Sequence, residues 1–146
     1  MSRFAMKLVK LATLIAAVAL CGATVAIAST DVQSQNPDLT VAASFHSNGL
    51  DAESATVGDT VTAGSSLTNN TSSTLKTDVS AVIAGPDGTV MYSKMRSVTL
   101  PRGKTSSVSY DLPVQASYLP GVYTLTVSAS DANGTSSARA TITVYS

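Results

Sequence analysis

In LPGVYTLTVSASDANGTSSARATITV, residues 119–144, apolar and hydroxylated side chains alternate on both sides of an Asp-Ala-Asn-Gly turn. Tyr123, Leu125, Val127 and Ala129 make one inward set, and Ala138, Ala140, Ile142 and Val144 make another, with serines and threonines between them. A period of two marks a strand that buries one face, because successive side chains of an extended chain point to opposite sides. Val, Ile, Thr and Tyr suit such a pleated, half-buried surface. The stretch therefore predicts a hairpin with an apolar inner face.

The same alternation recurs upstream. Leu39, Val41, Ala43 and Phe45 share one face of an extended segment, and Thr40, Ala42, Ser44 and His46 share the other. Further sets are Val61, Ala63, Ser65 and Leu67, then Leu75, Thr77, Val79, Ala81 and Ile83, then Val108, Tyr110 and Leu112. Turn chemistry separates them at Gly58-Asp59, Asn69-Asn70, Gly85-Pro86-Asp87-Gly88, Pro101-Arg102-Gly103, Pro120-Gly121 and Asp131-Ala132-Asn133-Gly134. Beyond the N-terminal segment no helical apolar stripe is present. The chain reads as all-β, an immunoglobulin-like antiparallel β-sandwich of seven to eight strands preceded by a signal helix. A small barrel is the competing architecture.

The N-terminal segment has the parts of a secretory signal in order: Arg3, Lys7 and Lys10, an apolar run from Leu11 to Leu20, and the small residues Ala26 and Ala28 before a cut at Ser29. The expected organisation is a signal peptide at 1–28, a flexible polar leader at 29–38, and the sandwich at 39–146. Retention of Leu11 to Ala28 as a membrane anchor is the alternative, and would be the protein's only contact with membrane. Lipidation at Cys21 is disfavoured by Leu20, since lipoprotein processing asks for a small residue there.

Cleavage leaves 118 residues, enough for one domain with its own core. It removes the single cysteine, so the exported product holds its fold without a disulfide. It also leaves six cations against nine carboxylates, a net charge of −3. A mildly acidic surface without basic clusters gives nucleic acid no electrostatic footprint.

Three segments resemble bacterial immunoglobulin-like modules of the CARDB and fibronectin-III-like kind. Leu119 to Val144 looks like their last hairpin, and VGDTVTAGSSLTNNTSSTL, Val57 to Leu75, is similar to a second strand that ends in asparagine before a polar turn. VTLPRGKTSSVSYDLP, Val98 to Pro113, resembles their strand, proline-glycine turn and following strand. Gly121 permits a tight entry to the last hairpin. The resemblance implies that Tyr123 buries its ring and closes the preceding loop with its hydroxyl, as in a tyrosine corner.

Residues for chemistry are few. His46 is the only histidine, placed on the outward face of the first strand, and no GxSxG elbow surrounds a serine, so no nucleophile and base are evident. Zinc lacks ligands at motif spacing. Met91, Met95 and His46 are a thin set for copper(I), and the methionines are expected to pack against a sheet. Asp59, Asp87, Asp131 and Asn133 read as turn residues bonding their own backbone rather than as calcium ligands. Tyr92, Tyr118 and Tyr145 are the candidate stacking platforms for a sugar. Asn69, Asn70 and Asn133 head N-x-[ST] patterns, which matter only in a eukaryotic secretory host.

These readings predict a protein that is not an enzyme and carries no cofactor or metal. It is expected to be exported to the periplasm, cell surface or medium, and to bind another extracellular or envelope protein. Two alternatives stay open: a pilus-like subunit assembling by strand exchange, suggested by the penultimate Tyr145 and the polar leader, and a carbohydrate-binding accessory domain.

Overall fold

Alternation becomes strand pairing in the computed structural model, which describes residues 31–32 and 36–146. The signal segment, with Ala26, Ala28 and Ser29, lies outside the described residues, as do residues 30 and 33–35 of the leader. The strands are β1 (Asp31–Val32), β2 (Leu39–Ser47), β3 (Leu50–Asp51), β4 (Ser54–Thr56), β5 (Thr60–Asn69), β6 (Leu75–Ala84), β7 (Val90–Leu100), β8 (Thr105–Pro113), β9 (Gly121–Asp131) and β10 (Gly134–Tyr145). Seven of them are long and three are short. Among the described residues there is no helix, and so none able to cross a membrane.

Two sheets form the sandwich. One runs β1-β10-β9-β6-β7 with β4 also against β10, and the other runs β3-β2-β5-β8. All pairings are antiparallel except β4, which lies parallel to β10 with Thr143 opposite Ser54. The last hairpin pairs without interruption from Gly134 opposite Asp131 to Val144 opposite Gly121.

The inward sets meet between the sheets. Leu39, Val41, Ala43 and Phe45 of β2, Val61, Ala63 and Leu67 of β5, Val79, Ala81 and Ile83 of β6, and both sets of the last hairpin are buried. Two hydroxyls stitch this core. Ser136 Oγ donates to Leu39 O at 2.9 Å across the sandwich, and Thr77 Oγ1 donates to Ser130 O at 2.7 Å.

The strand that alternation did not reveal is the eleven-residue β7. Its inner face carries Lys94 opposite Ala81 and Arg96 opposite Val79, and it forms the edge of its sheet. Inward-facing charge on an edge strand keeps a further strand from adding, at the cost of the apolar period that would have marked it in the sequence.

Asn69 ends β5 with no solvent exposure. Its Nδ2 donates to the carbonyls of Ser73, Leu100 and Pro101 at 2.8, 2.9 and 3.2 Å, and its Oδ1 accepts from Thr71 N at 2.9 Å and Thr71 Oγ1 at 2.7 Å. One amide thus joins the β5–β6 turn to the β7–β8 turn. Tyr123 is 1% exposed, and its hydroxyl donates to Leu119 O at 3.0 Å. Burial is the main force raising its phenol pKa above 10.0. Gly121, at φ +139, lies where a Cβ would stand 2.8 Å from Pro86 Cβ.

Candidate functional site

The outer face of the β3-β2-β5-β8 sheet is built almost wholly from small polar side chains. Register sets them in rows across β2, β5 and β8: His46, Thr62 and Asp111; Ser44, Gly64 and Ser109; Ala42, Ser66 and Ser107; Thr40, Thr68 and Thr105. These are the positions that alternate with the core residues, so the period that buries Phe45 also exposes this face. The central rows line a shallow groove of about 280 Å³.

Gly64 opens the groove. It stands opposite Ser44, and a Cβ there would lie 2.9 Å from Ser44 Oγ and 3.7 Å from His46 Nε2. Without that carbon Ser44 and His46 lie close over the strand. Ser44 Oγ and His46 Nε2 are 2.7 Å apart.

The other ring nitrogen is held from β3. Asn48 at φ +52 and Gly49 at φ +79 form a two-residue turn of the kind that matches the strand twist. That turn pairs Asp51 with His46, and Asp51 Oδ1 lies 3.1 Å from His46 Nδ1. A carboxylate can only accept, so in the neutral ring Nδ1 carries the proton and Nε2 accepts from the Ser44 hydroxyl. The result is a Ser44–His46–Asp51 chain assembled from residues within one hairpin. The Asp51 side chain is 77% exposed, so solvent screens this contact and it contributes little to stability.

Strand alternation alone places His46 on an outward face and names no partner for it. The structure keeps it on that face and supplies two partners. The signal was present in Asn48-Gly49, a strong hairpin dipeptide, which sets Asp51 opposite His46.

Other candidates resolve into structural roles. Asp59 accepts from Thr56 N and Oγ1 at 2.8 and 3.0 Å, and Asp87 from Thr89 N and Oγ1 at 3.0 and 2.8 Å; these bonds hold both carboxyls below the ordinary 3.8. Asp131 Oδ1 accepts from Asn36 Nδ2 and from Asn133 N, at 2.8 and 2.7 Å. Among the described residues no three His, Cys, Asp or Glu side chains gather to hold a metal.

Met95 is 75% exposed on the outer side of β7, contrary to the expectation that it packs against a sheet, because it stands on the face turned away from the other sheet. Of the tyrosines offered as sugar platforms, Tyr92 packs against Tyr110 with centroids 4.6 Å apart and Tyr118 stacks on Tyr123 at 5.8 Å. Only Tyr145 among these three is exposed. Asn69 is buried and fully engaged, so its N-x-[ST] pattern is no accessible acceptor.

No family model matches the chain, and no curated protein matches it. Solved structures do. The C-terminal domain of wzt aligns at a TM-score of 0.54 and 15% identity, covering 81% of this chain and 79% of that one. A CARDB domain from Pyrococcus furiosus, solved in complex with di-metal ions, aligns at 0.52 and 15%, covering 79% and 94%. The alkylpurine DNA glycosylase AlkC of Pseudomonas fluorescens aligns at 0.54 and 13%, covering 75% of this chain but 31% of its own. At such identities the likeness is one of fold: the chain is an immunoglobulin-like β-sandwich.

Proposed function

We propose that this chain is an exported, non-enzymatic interaction module of the CARDB-like kind, working in the periplasm or at the cell surface. It binds another envelope or extracellular protein across the outer face of the β3-β2-β5-β8 sheet. One observation carries the reading: four successive rows of that face hold mostly short polar residues with no large apolar side chain, and Gly64 opens a recess at their centre. A surface of short hydroxyl side chains offers many hydrogen bonds at little side-chain entropy cost, which suits a polar partner surface.

The two alternatives draw less support. A glycan reader would need broad stacking rings at the site, and no Tyr, Phe or Trp side chain stands in these outer rows. Strand exchange needs an incomplete sheet, whereas β10 is paired along β9 and flanked by β1 and β4.

The test compares the chain with its Gly64→Val variant, which fills the recess while keeping a strand-forming residue. Partners are cross-linked in the envelope fraction and identified by mass spectrometry. Loss of a partner in the variant supports the reading; an unchanged partner set refutes this face as the binding surface. Edman sequencing of the exported protein tests the cut, with Ser29 as the expected first residue.

A further inference from the structure

We propose that Ser44 is a nucleophilic hydroxyl, with His46 as its base and Asp51 as the positioning residue, which accepts an acyl group from a small activated ester bound in the groove. The inference goes beyond the binding reading, because it gives the same surface a covalent step. Three observations support it. Ser44 Oγ lies 2.7 Å from His46 Nε2, within reach for proton transfer. Asp51 Oδ1 lies 3.1 Å from Nδ1, which sets the tautomer that leaves Nε2 free to accept. The groove of about 280 Å³ reaches both Ser44 and His46, so a small acyl donor can approach the hydroxyl.

The step balances with no further reagent. Ser44 Oγ attacks the acyl carbon, its proton passes to His46 Nε2, and the bond to the leaving oxygen breaks. His46 then returns the proton to the departing alcohol, and Ser44 is left as an ester. The reaction is stoichiometric rather than a fast cycle. Ser44 sits inside the β2–β5 ladder opposite Gly64, so main-chain amides there are committed to strand pairing and none is aimed at a developing oxyanion.

The groove contains its own control. Ser66, Ser107 and Ser109 share the face with Ser44 but have no histidine beside them. A positioned general base is worth roughly 10² or more in rate, so Ser44 should outpace those serines by about that factor. The charged groups around the ring are Asp51 from β3 and, beyond the neutral Thr62 of β5, Asp111 of β8, whose Oδ1 accepts from Thr62 Oγ1 at 3.0 Å.

The experiment treats the full chain with p-nitrophenyl acetate and, separately, with a fluorophosphonate, and locates the adduct by peptide mass spectrometry across a pH series. The expected result is one adduct per chain at Ser44, falling to the level of the other groove serines in His46→Gln. In Asp51→Asn the rate falls, and Asp51→Glu, which keeps a carboxylate acceptor, restores part of it, a pattern that a merely structural Asp51 would not give. Far-ultraviolet circular dichroism checks that each variant keeps the sheet spectrum. Label spread evenly over the groove serines, or Ser44 labelling unaffected by His46→Gln in a folded variant, overturns the proposal.

Discussion

The two faces of β2 do opposite work. Leu39, Val41, Ala43 and Phe45 turn inward and are buried, while Thr40, Ala42, Ser44 and His46 turn outward, the last three onto a groove. The inner face is held by packing that tolerates few changes, because interiors are as dense as organic crystals. The outer face is held by the ladder beneath it, so its side chains are available for contact with other molecules. A sandwich sheet can carry fold and site on the same nine residues.

The difference is open to direct test. Phe45→Ala should lower unfolding free energy by about 3–5 kcal/mol, measured by urea titration, because it leaves a cavity at the centre of the sandwich. Ser44→Ala, on the adjacent residue and the other face, should stay within about 0.5 kcal/mol. Equal losses would erase the contrast between the faces.

The inner layer also depends on buried polar groups. Asn69→Ala should cost about 3 kcal/mol, since it strips the Leu100 and Pro101 carbonyls of a shared donor in a buried setting. Tyr123→Phe keeps the ring and removes only the bond to Leu119 O, so a drop of about 1 kcal/mol is expected by the same titration.

The smallest effect lies in the turns and depends on pH. Asp59 and Asp87 have folded pKa values lowered by hydrogen bonds from Thr56 and Thr89. A lowered folded value stabilises the protein above the ordinary 3.8, and that contribution is lost as pH falls through the folded value. An Asp59→Asn, Asp87→Asn double variant should therefore melt slightly below the parent at neutral pH and match it in strong acid. A gap that persists undiminished in acid would exclude the carboxylates as its cause.

The inward positions were legible because each strand with one buried face repeats its apolar residues every second position. Strand β7 was not, since Lys94 and Arg96 occupy its inner face where an edge strand can still send charge to solvent. The groove was half legible. Ser44 and His46 are two residues apart on a strand and so share a face, and Asn48-Gly49 encodes the turn that returns Asp51. What strand spacing could not show is Gly64, eighteen residues beyond His46, standing opposite Ser44.

From sequence alone came the all-β class, the alternating faces and the turns, all of which follow from local backbone geometry and the two-residue period. The tertiary structure decided which outward faces would adjoin and where a missing side chain would leave room. Register between β2, β5 and β8 depends on the whole inner face packing at once. For that reason the groove over the Ser44–His46–Asp51 chain exists only after the sandwich has closed.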